Sequence, residues 1–203
     1  HLQKCFPHLK IGGPAVASIG SNEAWVRDFL AALRENGVRP DFFSWHVYAH
    51  KMEKVMSYIH KARKLLDEYG LTACESILNE WNYVKGWEAD EWVYSLKMEE
   101  SLKGSAFIAA TMLMSQYEPL DHLMFYDARP CGMNSLFSTD FVCDCLKGYY
   151  PFWMFNKLYV QDYAVPVTTT GEAVWAAAAK GEEHCVMLSH FDDNDDASAR
   201  EVK

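Results

Sequence analysis

The sequence lacks the features that mark nucleic-acid-binding and membrane proteins. It has no cluster of lysine and arginine, and its net charge of −9 argues against nucleic acid as a partner. No apolar run approaches the roughly 20 residues that a membrane span needs, and no signal peptide is visible, so we expect no membrane partner. The chain begins His-Leu-Gln without methionine, and we expect its natural N-terminus to lie upstream.

Paired cysteine motifs are also lacking. The six cysteines are scattered and form no C-x-x-C pair, which argues against a structural zinc site. A chain of 203 residues, of which 50% are hydrophobic, can build a core without disulfides. We therefore expect free thiols, no metal and no cofactor. Free thiols favour the cytoplasm, although the sequence leaves the location open.

What the sequence does contain is an alternation of predicted strands and helices. Four short apolar segments are predicted strands: Leu9–Ile11, Phe42–Val47, Ser76–Asn79 and His122–Tyr126. Helical patterns follow each of them, including one long predicted helix from about Glu91 to Ser115. Such alternation is typical of parallel βαβ units. Four units are half of a (β/α)8 TIM barrel, which takes about 250 residues, so residues 1–163 are predicted to form the C-terminal half of such a barrel.

The pattern changes after Tyr163. Ala173–Ala178 and His184–Ser189 resemble strands, and Lys180-Gly181-Glu182 between them is typical of a hairpin turn. Because a lone hairpin is marginally stable, we interpret residues 164–203 as the start of a β-sandwich.

Polar and aromatic residues follow three of the predicted strands: His46 and Tyr48 on the second, Asn79, Glu80, Trp81 and Asn82 on the third, and Tyr126 and Asp127 on the fourth. Barrel enzymes assemble their sites where strands end. Aromatic faces stack on sugar rings, while amides and carboxylates bind hydroxyl groups, so this composition indicates a carbohydrate site with Glu80 as the catalytic carboxylate. Two alternatives stay open at this point: the site could bind a different small polar substrate, or Glu80 could have a purely structural role.

Four motifs occur in an order that resembles a known family: Leu9–Ala15, Asp41–Tyr48, Leu78–Asn82, and Asn134–Phe137 before Lys147-Gly-Tyr-Tyr. From about His1 to Tyr159 the chain is similar to the later half of the glycoside hydrolase family that contains the β-xylosidases and α-L-iduronidases. That family belongs to a large clan of retaining glycosidases on TIM barrels.

The resemblance implies a role for each strand and for several residues. The four strands would be barrel strands five to eight, and the hairpin would enter an accessory β-sandwich. Glu80 would be the nucleophile, with His46 and Tyr48 lining the sugar subsite. The general acid/base of the clan is a glutamate after asparagine on the fourth strand, which this chain does not contain. The isolated chain is therefore expected to have little or no activity on its oligosaccharide or glycoside substrate.

Several alternatives stay open. The chain could instead be a non-catalytic carbohydrate-binding or scaffold barrel protein, or a barrel fragment unrelated to sugars. Asp127 is a candidate second carboxylate by position alone. Trp81, Tyr83 and Trp87 could equally be a sugar platform or loop packing. Because a half barrel has open strand edges and exposed apolar surface, we expect a homo-oligomer formed through the open half-barrel.

Overall fold

The computed structural model describes residues 2–133, 135–140 and 142–201, so the motif residue Asn134 lies outside the described residues. The chain forms two compact units. The first comprises the residues up to Tyr48 together with Glu53–Trp81 and Glu118–Phe125; the second comprises Ala49–Met52, Asn82–Tyr117 and the residues from Tyr126 onward. The division between residues 163 and 164 stays a prediction.

The first unit is built on a four-stranded sheet with the strand order β1-β2-β3-β4. Its strands are β1 (Gly12–Val16), β2 (Phe42–Ala49), β3 (Glu75–Tyr83) and β4 (His122–Leu123). β1 pairs with β2, and β3 with β4, in parallel. A short helix α1 (Leu2–Cys5) precedes the sheet, and helices α2 (Glu23–Glu35) and α3 (Met52–Glu68) connect the first three strands. The predicted α/β class and the alternation of strand and helix are thus confirmed.

Apolar spacing and two glycines explain the helices of this unit. Val26 and Leu30, one turn apart on α2, are both fully buried, as expected for the inner face of an amphipathic helix. Each buried side chain of this size contributes about 1.5–3 kcal/mol. Gly37 and Gly70 follow the two helices with φ angles of 64° and 77°, a left-handed conformation that other residues rarely adopt.

The strand bounds correct the sequence prediction in three places. β1 comprises Gly12–Val16, so the predicted strand Leu9–Ile11 is wrong and lies entirely before it, and Leu9 is exposed. A Cβ on Gly12 would meet the Phe42 carbonyl oxygen at 2.1 Å, so the close approach of β1 to β2 requires glycine. Pro14 is tolerated within β1 because the strand lies at the edge of the described sheet. β3 continues to Tyr83, so Glu80 lies within the strand, and β4 ends earlier than predicted, at Leu123.

The second unit combines helices with a three-stranded antiparallel sheet of order β5-β6-β7. The helices are α4 (Ala89–Glu99), α5 (Leu102–Ser115) and α6 (Tyr149–Tyr159), and the strands are β5 (Tyr163–Val165), β6 (Val174–Lys180) and β7 (His184–His190). The predicted hairpin is confirmed, since β6 pairs with β7 from Val174 to Lys180. The predicted long helix is wrong: it is interrupted at Ser101, whose side chain caps α5 by accepting a hydrogen bond from the Lys103 N–H.

Small side chains on β6 bring this sheet close to the helices. The core cluster consists of Ala109, Leu113, Leu158, Ala177, Ala179 and Met187. Ser189 on β7 adds a hydrogen bond of 2.9 Å from its hydroxyl to the Ala106 carbonyl of α5. Within the part of the chain that the structure describes, no helix is long and apolar enough to cross a membrane.

Candidate active site

The alternation of β2 determines which of its side chains can face a site. Phe43, Trp45 and Val47 are buried, and because successive side chains of a strand point to opposite faces, His46 and Tyr48 share the other face. The Trp45 indole N–H donates a 3.0 Å hydrogen bond to the Ser76 hydroxyl on β3. This buried bond holds β2 against the strand that carries Glu80.

Three predicted site residues lie together at these two strands. The Tyr48 hydroxyl donates a hydrogen bond of 2.8 Å to Oε2 of Glu80. Nδ1 of His46 lies 3.2 Å from the same oxygen. The Glu80 side chain is 31% exposed and the His46 side chain 12%. Tyr48 thus donates to one oxygen of the carboxylate, His46 lies beside the same oxygen, and in the described residues no hydrogen bond is made by Oε1.

Burial decides the charge state of His46. Desolvation lowers the pKa of the His46 imidazole below its ordinary value, and the negative charge of Glu80 only partly opposes this effect. The ring is therefore neutral at neutral pH. In the tautomer that donates from Nδ1 to Glu80, Nε2 is a hydrogen-bond acceptor.

Two further polar atoms on these strands are buried, one on His46 of β2 and one on Asn79, the residue before Glu80 on β3. Among the described residues, neither Nε2 of His46 nor Oδ1 of Asn79 makes a hydrogen bond. Buried polar groups are rarely left unpaired, because each costs about 1–3 kcal/mol. Both atoms can accept a hydrogen bond from a hydroxyl group of a ligand.

The aromatic residues after Glu80 do not form one surface. Trp81 is 1% exposed, and its ring packs edge-on against Phe125 at 5.1 Å. Tyr83 is fully buried. Trp87 is exposed and stacks on Trp92 with a centroid distance of 5.2 Å. Of the three side chains that could be a platform or packing, Trp81 and Tyr83 are packed and Trp87 is accessible.

Asn82 makes its hydrogen bonds within the protein. Its Nδ2 donates to the carbonyls of Tyr126 and Met133 at 2.9 and 3.1 Å, and its Oδ1 accepts from the Tyr83 N–H at 2.7 Å. The side chain is 1% exposed. Its amide therefore fixes both ends of the loop from Tyr126 to Met133, and contact with a substrate would require it to leave these partners.

Asp127 is engaged by an arginine that the sequence reading did not single out. Its Oδ2 accepts a hydrogen bond of 2.6 Å from Nε of Arg129, and its Oδ1 accepts one of 3.0 Å from the Arg129 N–H. Arg129 also donates to the Tyr126 hydroxyl at 2.8 Å. The spacing of opposite charges two residues apart in this loop was the available signal. Both oxygens of Asp127 are therefore engaged by Arg129 within this loop.

No site for a metal ion is apparent near these carboxylates. Across residues 2–133, 135–140 and 142–201, no three His, Cys, Asp or Glu side chains are grouped to hold a metal ion.

The parallel sheet with its strand-borne carboxylate, histidine and tyrosine defines an α/β protein with a polar site on neighbouring strands. The comparison with protein families is more specific. Residues 1–114 match the model of the glycosyl hydrolases family 39, which is more than half of the chain, and the chain belongs to that family.

Solved structures agree on the fold. The chain is similar to a glucosidase from Croceicoccus marinus (TM-score 0.73, 19% identity), covering 94% of this chain and 41% of that one. It is also similar to a monomeric β-xylosidase from Caulobacter crescentus (TM-score 0.66, 15% identity), covering 92% and 40%. A third similar structure is N2152 from Neocallimastix frontalis (TM-score 0.60, 19% identity), covering 88% and 41%. The chain thus spans about two fifths of the length of these proteins. No curated protein matches the chain.

Proposed function

We propose that this chain is the nucleophile-bearing half of a retaining glycosidase. Residues 1–163 would supply barrel strands five to eight of a (β/α)8 barrel, and residues 164–203 would begin an accessory β-sandwich. The observation that carries the proposal is the Glu80 carboxylate, whose Oε2 accepts from Tyr48 at 2.8 Å and lies 3.2 Å from Nδ1 of His46. Membership of the glycosyl hydrolases family 39 supports it.

In this mechanism Oε1 of Glu80 attacks the anomeric carbon of a glycoside. A bond forms between this oxygen and the anomeric carbon while the bond to the leaving-group oxygen breaks, giving a glycosyl ester. Water later hydrolyses the ester and restores the carboxylate. The hydrogen bond from Tyr48 holds Oε2, with His46 beside it, so that the other oxygen is oriented for attack.

The leaving oxygen needs a proton from a second carboxyl group, about 5–5.5 Å from the first in retaining enzymes. Asp127 is a weak candidate because Arg129 pairs with both of its oxygens. We therefore assign the acid/base role to a glutamate outside these 203 residues.

The substrate we propose is a glycoside, with xylosides and glucosides as the first candidates, because the similar structures include a β-xylosidase and a glucosidase. Nε2 of His46 and Oδ1 of Asn79, which lack partners among the described residues, would accept hydrogen bonds from sugar hydroxyl groups. Nucleic acid and membranes play no part in this proposal.

We also propose that the chain associates with itself through the open half-barrel. β1 lies at the edge of the described sheet, and Trp25 on α2 is 50% exposed while it stacks on Phe29. Unpaired strand edges and exposed apolar surface both favour association. Analytical ultracentrifugation at several concentrations tests this, and a monodisperse monomer at all of them would contradict it.

The catalytic proposal is tested with substrates whose leaving groups need no protonation. We incubate three proteins with dinitrophenyl 2-deoxy-2-fluoro-xyloside and with the matching glucoside: the wild type, Glu80→Gln and the control Glu118→Gln. The mass of each protein is then determined by mass spectrometry. We expect one covalently bound sugar on Glu80 in the wild type and in Glu118→Gln, and none in Glu80→Gln.

The other outcomes are equally clear. Labelling at a different residue would refute the assignment of Glu80. Binding of xylo-oligosaccharides without any labelling, measured by calorimetry, would favour a non-catalytic carbohydrate-binding protein instead.

A further inference from the structure

One carboxylate after β7 contacts the ends of two central strands. Oδ1 of Asp193 accepts a hydrogen bond of 2.5 Å from the Tyr83 hydroxyl, and Oδ2 lies 3.0 Å from Nδ1 of His50. The Asp193 side chain is 15% exposed. Asp193 is 110 residues from Tyr83 and 143 from His50 along the chain, so the contact depends entirely on the tertiary structure.

The two partners of Asp193 directly follow the residues of the candidate site. His50 comes two residues after Tyr48, and Tyr83 comes three residues after Glu80. Next to them, the Val84 N–H donates a hydrogen bond of 3.1 Å to the Ala49 carbonyl. The ends of β2 and β3 are therefore joined both by the backbone and by the carboxylate of Asp193.

The segment that carries Asp193 is itself firmly anchored. Lys103 on α5 donates to the Asp193 carbonyl at 2.6 Å and to Oδ1 of Asp195 at 2.5 Å. Phe191 is 4% exposed, and its ring packs against Phe107 at 5.3 Å. Because the segment is fixed on this side, the carboxylate can act as a rigid support for the two strand ends.

The Tyr83 hydroxyl is well suited to donate a hydrogen bond to the Asp193 carboxylate. Burial, and next the hydrogen bond to Asp193, raise the pKa of the Tyr83 hydroxyl far above its ordinary value. The phenol therefore stays protonated and donates over the whole physiological pH range. A hydrogen bond to a carboxylate in a buried position is among the stronger ones.

We propose that Asp193 is a positioning residue that holds the ends of β2 and β3 together and thereby sets the hydrogen bond between Tyr48 and Glu80. The inference rests on the proposed role of Glu80 as nucleophile. In physical terms, the segment after the small sheet is part of the catalytic framework, because a small displacement of either strand end changes the 2.8 Å contact that orients the carboxylate. Misplacement by about 1 Å can slow an enzyme by about 100-fold.

The test compares Asp193→Ala and Asp193→Asn with Asp196→Ala, which removes a charge from the same loop at an exposed position. Tyr83→Phe is a second, milder variant that removes only the donor. Three quantities are measured. The first two are the rate constant of Glu80 labelling by dinitrophenyl 2-deoxy-2-fluoro-xyloside and the dissociation constant of this inhibitor. The third is the ¹³Cζ resonance of Tyr48 in tyrosine-labelled protein, assigned through Tyr48→Phe.

We expect Asp193→Ala to slow labelling by about 10-fold or more at an unchanged dissociation constant, and to shift the Tyr48 resonance. Asp193→Asn retains an acceptor and should recover part of the rate, while Asp196→Ala should match the wild type. Tyr83→Phe should slow labelling less, and its effect should not add to that of Asp193→Ala, since both remove one interaction.

The two proposals can fail separately. If the wild type is labelled and the Asp193 variants are labelled equally fast with an unmoved Tyr48 resonance, the positioning role is refuted while the catalytic proposal stands. If no protein is labelled, the catalytic proposal fails, and a Tyr48 resonance shifted by Asp193→Ala but not by Asp196→Ala still supports the structural coupling.

Discussion

The most sharply defined prediction concerns Glu99, the last residue of α4. Its side chain is fully buried, and among the described residues neither carboxylate oxygen has a hydrogen-bond partner. Burial, with a smaller contribution from the charge of Glu100, raises the pKa of Glu99 to about 8.

The raised pKa makes stability depend on pH in a definite direction. Above about pH 4.5 the unfolded chain releases the Glu99 proton while the folded protein keeps it, so the free energy of unfolding falls as pH rises towards 8. Each pH unit in this window costs about 1.4 kcal/mol, which amounts to roughly 3 kcal/mol at pH 7. Below pH 4.5 both states are protonated and no cost arises.

The substitution Glu99→Gln removes this titration with little change of shape. We expect the difference in unfolding free energy between Glu99→Gln and the wild type to grow by about 1.4 kcal/mol per pH unit from pH 5 to 7.5, in favour of the variant. A poorly satisfied amide would add only a constant offset. Urea unfolding followed by tryptophan fluorescence measures the difference at each pH.

The matched control is Glu100→Gln, which removes the same charge from the next residue at an exposed position. It should show at most a small change with pH. A difference between Glu99→Gln and the wild type that stays constant from pH 5 to 8 would refute the argument, because it would mean that the folded protein holds Glu99 ionised.

Three other predictions follow from single contacts. Tyr48→Phe removes the 2.8 Å bond to Glu80 and should slow labelling of Glu80 by the fluorinated xyloside about 10-fold or more, and an unchanged rate would contradict its role. Ser101→Ala removes the α5 cap and should lower the unfolding free energy by about 1 kcal/mol, measured by urea unfolding with Ser101→Thr as the control. Burial raises the pKa of the Cys74 thiol to about 11. At pH 8 a disulfide reagent should therefore modify the exposed Cys143 and leave Cys74 unmodified until urea is added, as measured by mass spectrometry. Equal rates of modification at the two cysteines would contradict this.

The sequence was sufficient for the alternation of strands and helices, because the signals of most elements are local. The apolar stripe of α3 and the alternation of β2 each follow from residues within one segment. The continuation of β3 to Tyr83 could not be read in this way, because Asn82 looks like a loop residue until its partners Tyr126 and Met133 are known. β5 was missed for the same reason, since its three residues are defined by pairing with β6.

The break between α4 and α5 had a local signal that was outweighed. Ser101 is a good N-cap residue, but the helical pattern continues on both sides of it, and periodicity alone does not distinguish a cap from an interior serine. For the candidate site, the alternation along β2 and the position of Glu80 were enough to bring His46, Tyr48 and Glu80 together. For the pairing of Asp127 with Arg129, the only local signal was the spacing of opposite charges, and the loop conformation that makes the contact could not be predicted from it.

Three carboxylates of this chain show how surroundings, rather than residue type, determine what a side chain can do. Glu80 is partly exposed, and Tyr48 donates to one of its oxygens while His46 lies beside the same oxygen, which leaves the other oxygen for a reaction. Asp127 accepts hydrogen bonds from Arg129 through both oxygens, so neither oxygen is without a partner. Glu99 has no hydrogen-bond donor among the described residues and is buried. It therefore stays neutral, and its burial lowers the free energy of unfolding as the pH rises towards 8. Of the three, only Glu80 combines orientation with access, and this combination, rather than its motif, is the physical reason to assign it the nucleophilic role.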